Sequence, residues 1–180
     1  MTQIQALQTW HNGHHFRARV EARWAVFFEH MGVSFDYEPE AYSDGQTAYL
    51  PDFLISLRLS APDNRFEPKV FFEVKGAQPT PEELAKARML AKLTNKHVLI
   101  AFGSFSSGFK SIPTPVMFSV KPDGAVDGLF HWSHCQGCDA FTFQRVTAFS
   151  DGCRCGYPHA SSALAAAYNA ARGARFGVHE

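Results

Sequence analysis

Two neighbouring stretches decide how this chain folds: Tyr49-Leu50-Pro51-Asp52-Phe53-Leu54-Ile55 and Lys69-Val70-Phe71-Phe72-Glu73-Val74-Lys75-Gly76. Side chains alternate across a strand, so in the second stretch Val70, Phe72 and Val74 share a uniformly apolar face. Phe71, Glu73 and Lys75 share the other face, which sets a carboxylate beside an ammonium. Residues 48–57 read as the preceding strand, with Pro51 interrupting its start because proline has no N–H to give to a ladder. The turn-forming cluster Ala61-Pro62-Asp63-Asn64 predicts that the two strands pair antiparallel. As hairpin neighbours they bring Asp52 towards Glu73.

Working outward, Val20, Trp24, Phe27, Phe28 and Met31 recur at helical spacing, and Gly32 follows as a stop, predicting a helix over 16–31. Residues 34–38 alternate as a short strand, and a turn surrounds Asp44-Gly45. Thr80-Pro81-Glu82-Glu83 supplies an N-cap, a proline at the first helical position and a capping-box glutamate, predicting a helix to about 94. His97–Phe102 reads as a buried strand. The order of elements to residue 102 is therefore α-β-β-β-α-β in an α/β chain with a mixed sheet. Residues 103–115, rich in Gly, Ser and Pro, read as a linker between a core over 1–102 and a second element over 116–180. That second element holds a strand near 116–120 and an Ala-rich helix over 162–172, ended by Gly173.

A chain of 180 residues with 46% hydrophobic and 19% charged residues suits one ordinary domain, or a small core with an elaboration. The 17 basic residues are balanced by 17 acidic ones. That balance excludes a protein that coats duplex DNA through overall positive charge, so any nucleic-acid contact needs a local basic patch. No apolar run approaches the roughly 20 residues of a membrane span. Met1-Thr2-Gln3-Ile4-Gln5 carries no signal-peptide pattern, and a reducing, cytoplasmic setting with no membrane partner is expected.

Asp52 and Glu73 converging at a strand edge make an oxygen-rich site suited to Mg²⁺ or Mn²⁺, hard cations that pair one or two carboxylates with phosphate oxygens. A metal there lowers the pKa of bound water and polarises a phosphate. Lys75 beside it can orient or deprotonate that water, or neutralise charge in the transition state. The plainer alternative is that Asp52 ends a turn and Glu73 and Lys75 form a solvated edge pair.

Pro51-Asp52 followed by Glu73-Val74-Lys75, in this order of elements, resembles the PD-(D/E)xK nuclease superfamily, whose core is restriction-endonuclease-like. The string Phe16-Arg17-Ala18-Arg19-Val20-Glu21-Ala22-Arg23-Trp24-Ala25, with Phe27-Phe28 after it, is similar to the opening of a phage and prophage group within it. Tyr37-Glu38-Pro39-Glu40 also fits, and the likeness spans roughly 10–102. It implies a metal-dependent nuclease acting on DNA ahead of RNA, with Asp52 and Glu73 holding the metal, helped by Glu21 and the Val74 carbonyl. Lys75 would then act on the attacking water, and Arg17, Arg19 and Arg23 would contact phosphate. On a helical wheel Glu21 lies about 100° from Val20, at the edge of the buried stripe, where it can turn inward or pair with Arg17. Nucleases that cut both strands often work as dimers, so a homodimer is compatible with this reading. One departure stands out. Branches specific for DNA ends carry Gln and Tyr on the second helix, where this chain has Glu82, Glu83, Lys86, Arg88 and Lys92.

Cys135-x-x-Cys138, with Gly137, and Cys153-x-Cys155, with Gly156, flank an alternating segment over 141–149. Four thiolates suit tetrahedral, structural Zn²⁺ on a small zinc-ribbon-like element, with His134, His159 and His131 as spare ligands. Clustering in one stretch argues against a disulfide framework. His11, His14 and His15 add a pH-dependent basic patch or face water. Two other functions stay open: a catalytically silent module that binds nucleic acid or protein through the ribbon, and a regulator with no nucleic-acid role.

Overall fold

The computed structural model describes residues 8–58, 69–103, 105, 115–146, 155 and 161–177. Its elements in chain order are β1 (Thr9–His11), β2 (His14–Phe16), α1 (Arg19–His30), β3 (Phe35–Tyr37), β4 (Tyr42–Ser43), β5 (Ala48–Tyr49) and β6 (Phe53–Ser56). These are followed by β7 (Lys69–Lys75), α2 (Pro81–Thr94), β8 (Val98–Phe102), β9 (Val116–Val120), β10 (Val126–His134), β11 (Phe141–Arg145) and α3 (Ser162–Gly173). The fold is mixed α/β. A seven-stranded sheet runs in the order β11-β10-β9-β8-β7-β6-β3, and β1-β2 and β4-β5 form small hairpins.

The β6–β7 pair is antiparallel, as the turn cluster between them implies, and it matches Phe53 with Phe72. Residues 61–64 themselves lie outside the described residues. The β7–β8 pair is parallel, linked by α2, and the other sheet pairings are antiparallel. α2 starts as its sequence dictates. The Thr80 hydroxyl accepts from the Glu83 N–H at 3.2 Å, while the Glu83 carboxylate accepts from the Thr80 N–H at 2.8 Å.

Both faces of β7 are covered. Val70, Phe72 and Val74 join Trp24, Phe27 and Phe28 of α1 and Leu164, Ala167 and Tyr168 of α3 in the larger core. Phe71 joins Ala87, Leu90 and Ala91 of α2 in a second core on the other side. Glu73 therefore sits on a buried face, and the solvated edge pair does not describe it.

Three expectations are corrected. α1 begins at Arg19 rather than 16, because Phe16 ends a hairpin strand and the Arg17 N–H is taken by the Glu21 carboxylate and the Tyr37 hydroxyl, both at 3.1 Å. The strand read over 48–57 is two strands, β5 and β6, broken around Pro51. In the element expected over 116–180, the described strands do not stand apart from the main sheet. β9 pairs with β8 through five matched residues, and β10 and β11 extend the same sheet. An apolar strand such as β8 cannot leave its edge open to water at low cost, and β9 covers it.

The sheet wraps α1 far enough that Phe27 and Phe28 touch Phe141 and Trp132 at one end and Phe53 at the other. Arg58, just past β6, joins the two ends. Its carbonyl accepts from the Phe141 N–H at 2.7 Å. Its Nη1 donates to the Met31 and Gly32 carbonyls at 2.8 and 2.9 Å, and its Nε donates to the Asp139 carbonyl at 3.2 Å. These carbonyls end α1, where a cation is favoured. Arg58→Ala is expected to lower stability by about 1–3 kcal/mol, the scale of charged hydrogen bonds. Urea denaturation followed by near-ultraviolet dichroism, which reads the aromatic core, measures it. A loss no greater than that of Lys69→Ala, an exposed control, would show that the clasp carries no stability.

Candidate functional site

Where Pro51 interrupts the strand, carboxylates replace the backbone ladder. Continuing the β6–β7 register brings Asp52 opposite Glu73. The Asp52 N–H donates to Glu73 Oε1 at 3.1 Å, and the Val74 N–H donates to Asp52 Oδ2 at 2.8 Å. Glu21, in the first turn of α1, turns inward, and its Oε2 accepts from the Tyr37 hydroxyl at 2.7 Å. All three carboxylates are buried, with residue exposures of 7% for Glu21, 4% for Asp52 and 1% for Glu73.

Two cations meet this group. Arg17 pairs with Asp52 Oδ1 and with Glu38 Oε1, each at 2.6 Å. Lys75 Nζ lies 3.4 Å from Glu73 Oε2 and 3.8 Å from Glu83 Oε1 at the start of α2. Five carboxylates thus surround two positive side chains, and the electrostatics follow. Burial, then the charge of Glu73, pushes Asp52 up to about 7. Burial also raises Glu73 and Glu21 above the ordinary glutamate range. Burial pulls Lys75 down, but Glu73, Asp52 and Glu83 outweigh it, and the net shift is upward. Lys75 is therefore an ammonium at neutral pH, suited to orienting water or neutralising charge. Of the roles expected for it, deprotonating the attacking water is the one this charge state disfavours.

The structure thus brings Glu21, Asp52, Glu73, Lys75 and the backbone of Val74 together. The recorded contact of Val74 is its N–H to Asp52. The three carboxylates do not all come within 4.8 Å of one another, whereas Cys135, Cys138 and Cys155 do, alone among the described residues. Arg17 holds one oxygen of Asp52 and Tyr37 holds one of Glu21. As a donor set, hard, buried and short of positive charge, the carboxylates fit a divalent cation. Arg17, expected on phosphate, is engaged by Asp52 and Glu38. Arg19 and Arg23 lie about 160° around α1 from Glu21, on its far side. Sequence reading gave Tyr37, Tyr49, Glu38 and Glu83 no role in the site. Tyr49 ends β5 beside the kink and favours the charged form of Glu73. Glu83 was legible as a capping residue, but its approach to Lys75 depends on how α2 packs.

Cys135 is buried at the end of β10, where its N–H donates to the Ala140 carbonyl at 2.9 Å and closes the Cys-x-x-Cys turn. Cys138 and Cys155 are exposed. Three clustered thiols can bind a soft-to-borderline metal such as zinc. Cys153 and His159 lie outside the described residues. His134 is not a spare ligand here, because Ser161 Oγ at 2.6 Å and Asp139 Oδ1 at 2.8 Å occupy both its ring nitrogens. His131 Nε2 contacts the Gln144 amide at 2.8 Å. No family model, curated protein or solved structure matches the chain.

The raised Asp52 pKa has a defined sign. Between the ordinary carboxylate range and about 7 the folded state holds a proton that the unfolded state releases, so stability falls as pH rises through that window. In metal-free buffer, Asp52→Asn is expected to reduce this slope by up to about 1.4 kcal/mol per pH unit. Urea titrations at pH 5, 6 and 7 measure it. An unchanged slope would mean that Asp52 ionises normally.

Proposed function

We propose that this chain is a metal-dependent nuclease acting on DNA, built on a restriction-endonuclease-like core. One observation carries the reading. Three buried carboxylates meet a lysine at an interrupted strand, with more negative charge than the surrounding side chains neutralise. Buried carboxylates with raised proton affinity beside a specific cation cluster at functional sites. The order of elements and the parallel β7–β8 pair joined by α2 also support it.

Asp52, Glu73 and Glu21, with the Val74 carbonyl, are the groups that would hold Mg²⁺ or Mn²⁺. Such an ion supplies polarisation of a phosphoryl oxygen and a bound water of lowered pKa. The residues do the rest. Binding the ion would favour the ionised form of Asp52, whose proton affinity burial raises. Lys75, held by Glu73 and Glu83, directs its ammonium at the reacting oxygens and offsets charge as it develops. Arg17, hydrogen-bonded to Asp52, would be free to meet substrate phosphate if Asp52 turned to the ion. Cys135, Cys138 and Cys155, with Cys153 as fourth ligand, would hold a structural zinc.

A second reading is a catalytically silent nucleic-acid- or protein-binding module. The 2.6 Å Arg17–Asp52 pair favours it, because that contact already neutralises one metal ligand. Incubation of circular and linear DNA, single- and double-stranded, and of RNA with Mg²⁺ or Mn²⁺ separates the two. Cleavage by the wild type should fall by about 100-fold or more in Asp52→Ala and Lys75→Ala. If no substrate is cut by folded, zinc-loaded protein, the silent module is the better description. Elemental analysis should find one zinc per chain, lost together with thermal stability in Cys138→Ser. Full stability without zinc would remove the metal from that site.

A further inference from the structure

The far side of α1 carries a second feature. Arg19 and Arg23, one turn apart, line a cleft of about 420 Å³ together with Arg172 in the last turn of α3 and Arg175 and Phe176 just past it. Among the described residues no carboxylate lies within 4 Å of the Arg19, Arg23 or Arg175 guanidinium. Arg175 Nη1 donates backwards, to the Gly173 and Ala174 carbonyls at 2.9 and 3.4 Å. The Arg23 Nε is buried and has no hydrogen-bond partner among the described residues. Four guanidinium groups around one cleft, with an unmet donor among them, are set up for an oxyanion such as phosphate.

The cleft adjoins an aromatic step. Phe176 meets the His11 ring edge-on, with centroids 5.7 Å apart. His11 belongs to the β1–β2 hairpin, which Glu29 ties to α1 through His11 at 2.8 Å and Asn12 at 3.0 Å. On the outer face of that hairpin Trp10 stacks on His15 with centroids 4.8 Å apart, and half of the Trp10 surface is exposed. Trp10, His11, Asn12 and Gly13 line an open depression there. An exposed stacked ring does nothing for the core, yet it is what an unpaired base needs.

We propose that the Arg19/Arg23/Arg172/Arg175 cleft and the Trp10–His15 step together form a single-strand nucleic-acid surface, with phosphates in the cleft and a base stacked on Trp10. A basic groove joined to aromatic platforms is how single strands are held without sequence preference. A duplex keeps its bases stacked inside and has no free ring to offer the step. The inference deepens the nuclease reading by naming the substrate class, and it rests on that reading only for the cleavage that would follow binding.

The test is fluorescence anisotropy with a labelled 12-nucleotide oligothymidine and a duplex of equal length, using the full chain without added Mg²⁺ or Mn²⁺. The single strand is expected to bind more tightly than the duplex. Arg19 and Arg175 are exposed, so the R19A/R175A variant should fold normally. It is expected to weaken binding about tenfold and flatten the salt dependence by about 1.4 in slope. Trp10→Ala should also weaken binding about tenfold, and Trp10→Phe should retain most of it. Trp24 and Trp132 are buried, so quenching of tryptophan emission by the oligonucleotide should vanish in Trp10→Phe. Unchanged affinity and salt slope in R19A/R175A would overturn the proposal. Equal affinity for the duplex would do so too, as would saturation by inorganic phosphate alone. If the strand binds as described while no substrate is cut, the nuclease reading fails and this surface stands. If cleavage holds while these variants bind normally, the reverse is true.

Discussion

Two reciprocal hydrogen bonds, from the Asp52 N–H to Glu73 and from the Val74 N–H to Asp52, continue the sheet where its backbone ladder stops. Pro51 has no donor, so a chain crossing this point must find other partners for the amides around it. Carboxylate side chains serve, but only if they are buried, and burial raises their proton affinity. The rest of the site follows from that constraint. Arg17 and Lys75 are present because two buried carboxylates cannot both stay ionised without positive charge nearby. Tyr37 and Tyr49 act on the outer two, and Glu38 and Glu83 hold the cations in turn.

α1 connects the two halves of the molecule. One side of it gives Glu21 to the carboxylate group, and its apolar stripe fills the sheet. The third side gives Arg19 and Arg23 to the cleft shared with α3. A helix is roughly 10–12 Å across with its side chains. The two charged regions are thus separated by one helix thickness, one negative and one positive, in a chain whose total charge is zero. Balanced composition concealed a polarised molecule.

The parts of this arrangement legible in the sequence were those set by local rules. β7 and α2 could be read because alternation and capping are properties of a few adjacent residues. The Asp52–Glu73 approach could be read because antiparallel pairing of neighbouring strands, expected from the turn-forming residues between them, sets the two side by side. The β1–β2 hairpin escaped notice because Trp10, His11, His14 and His15 have no apolar alternation, only an Asn12-Gly13 turn. The union of β9–β11 with the main sheet escaped because Gly and Ser in 103–115 signal a break in regular structure and say nothing of where the chain goes next. Arg17 looked like a free cation of a basic run, and its pairing with Asp52 depends on a strand 35 residues away.

The Arg58 clasp bears on the order in which the molecule can be completed. Its side chain reaches Asp139, 81 residues further along. At a synthesis rate of about 5–20 residues per second, some 4–16 s pass between the two emerging from a ribosome. Throughout that interval α1 can pack on β6 and β7, but its other flank and the edge of β8 have no cover. A nascent chain of this protein therefore exposes a sticky strand until its last third arrives, and a molecule cut short near residue 115 would be a candidate for aggregation.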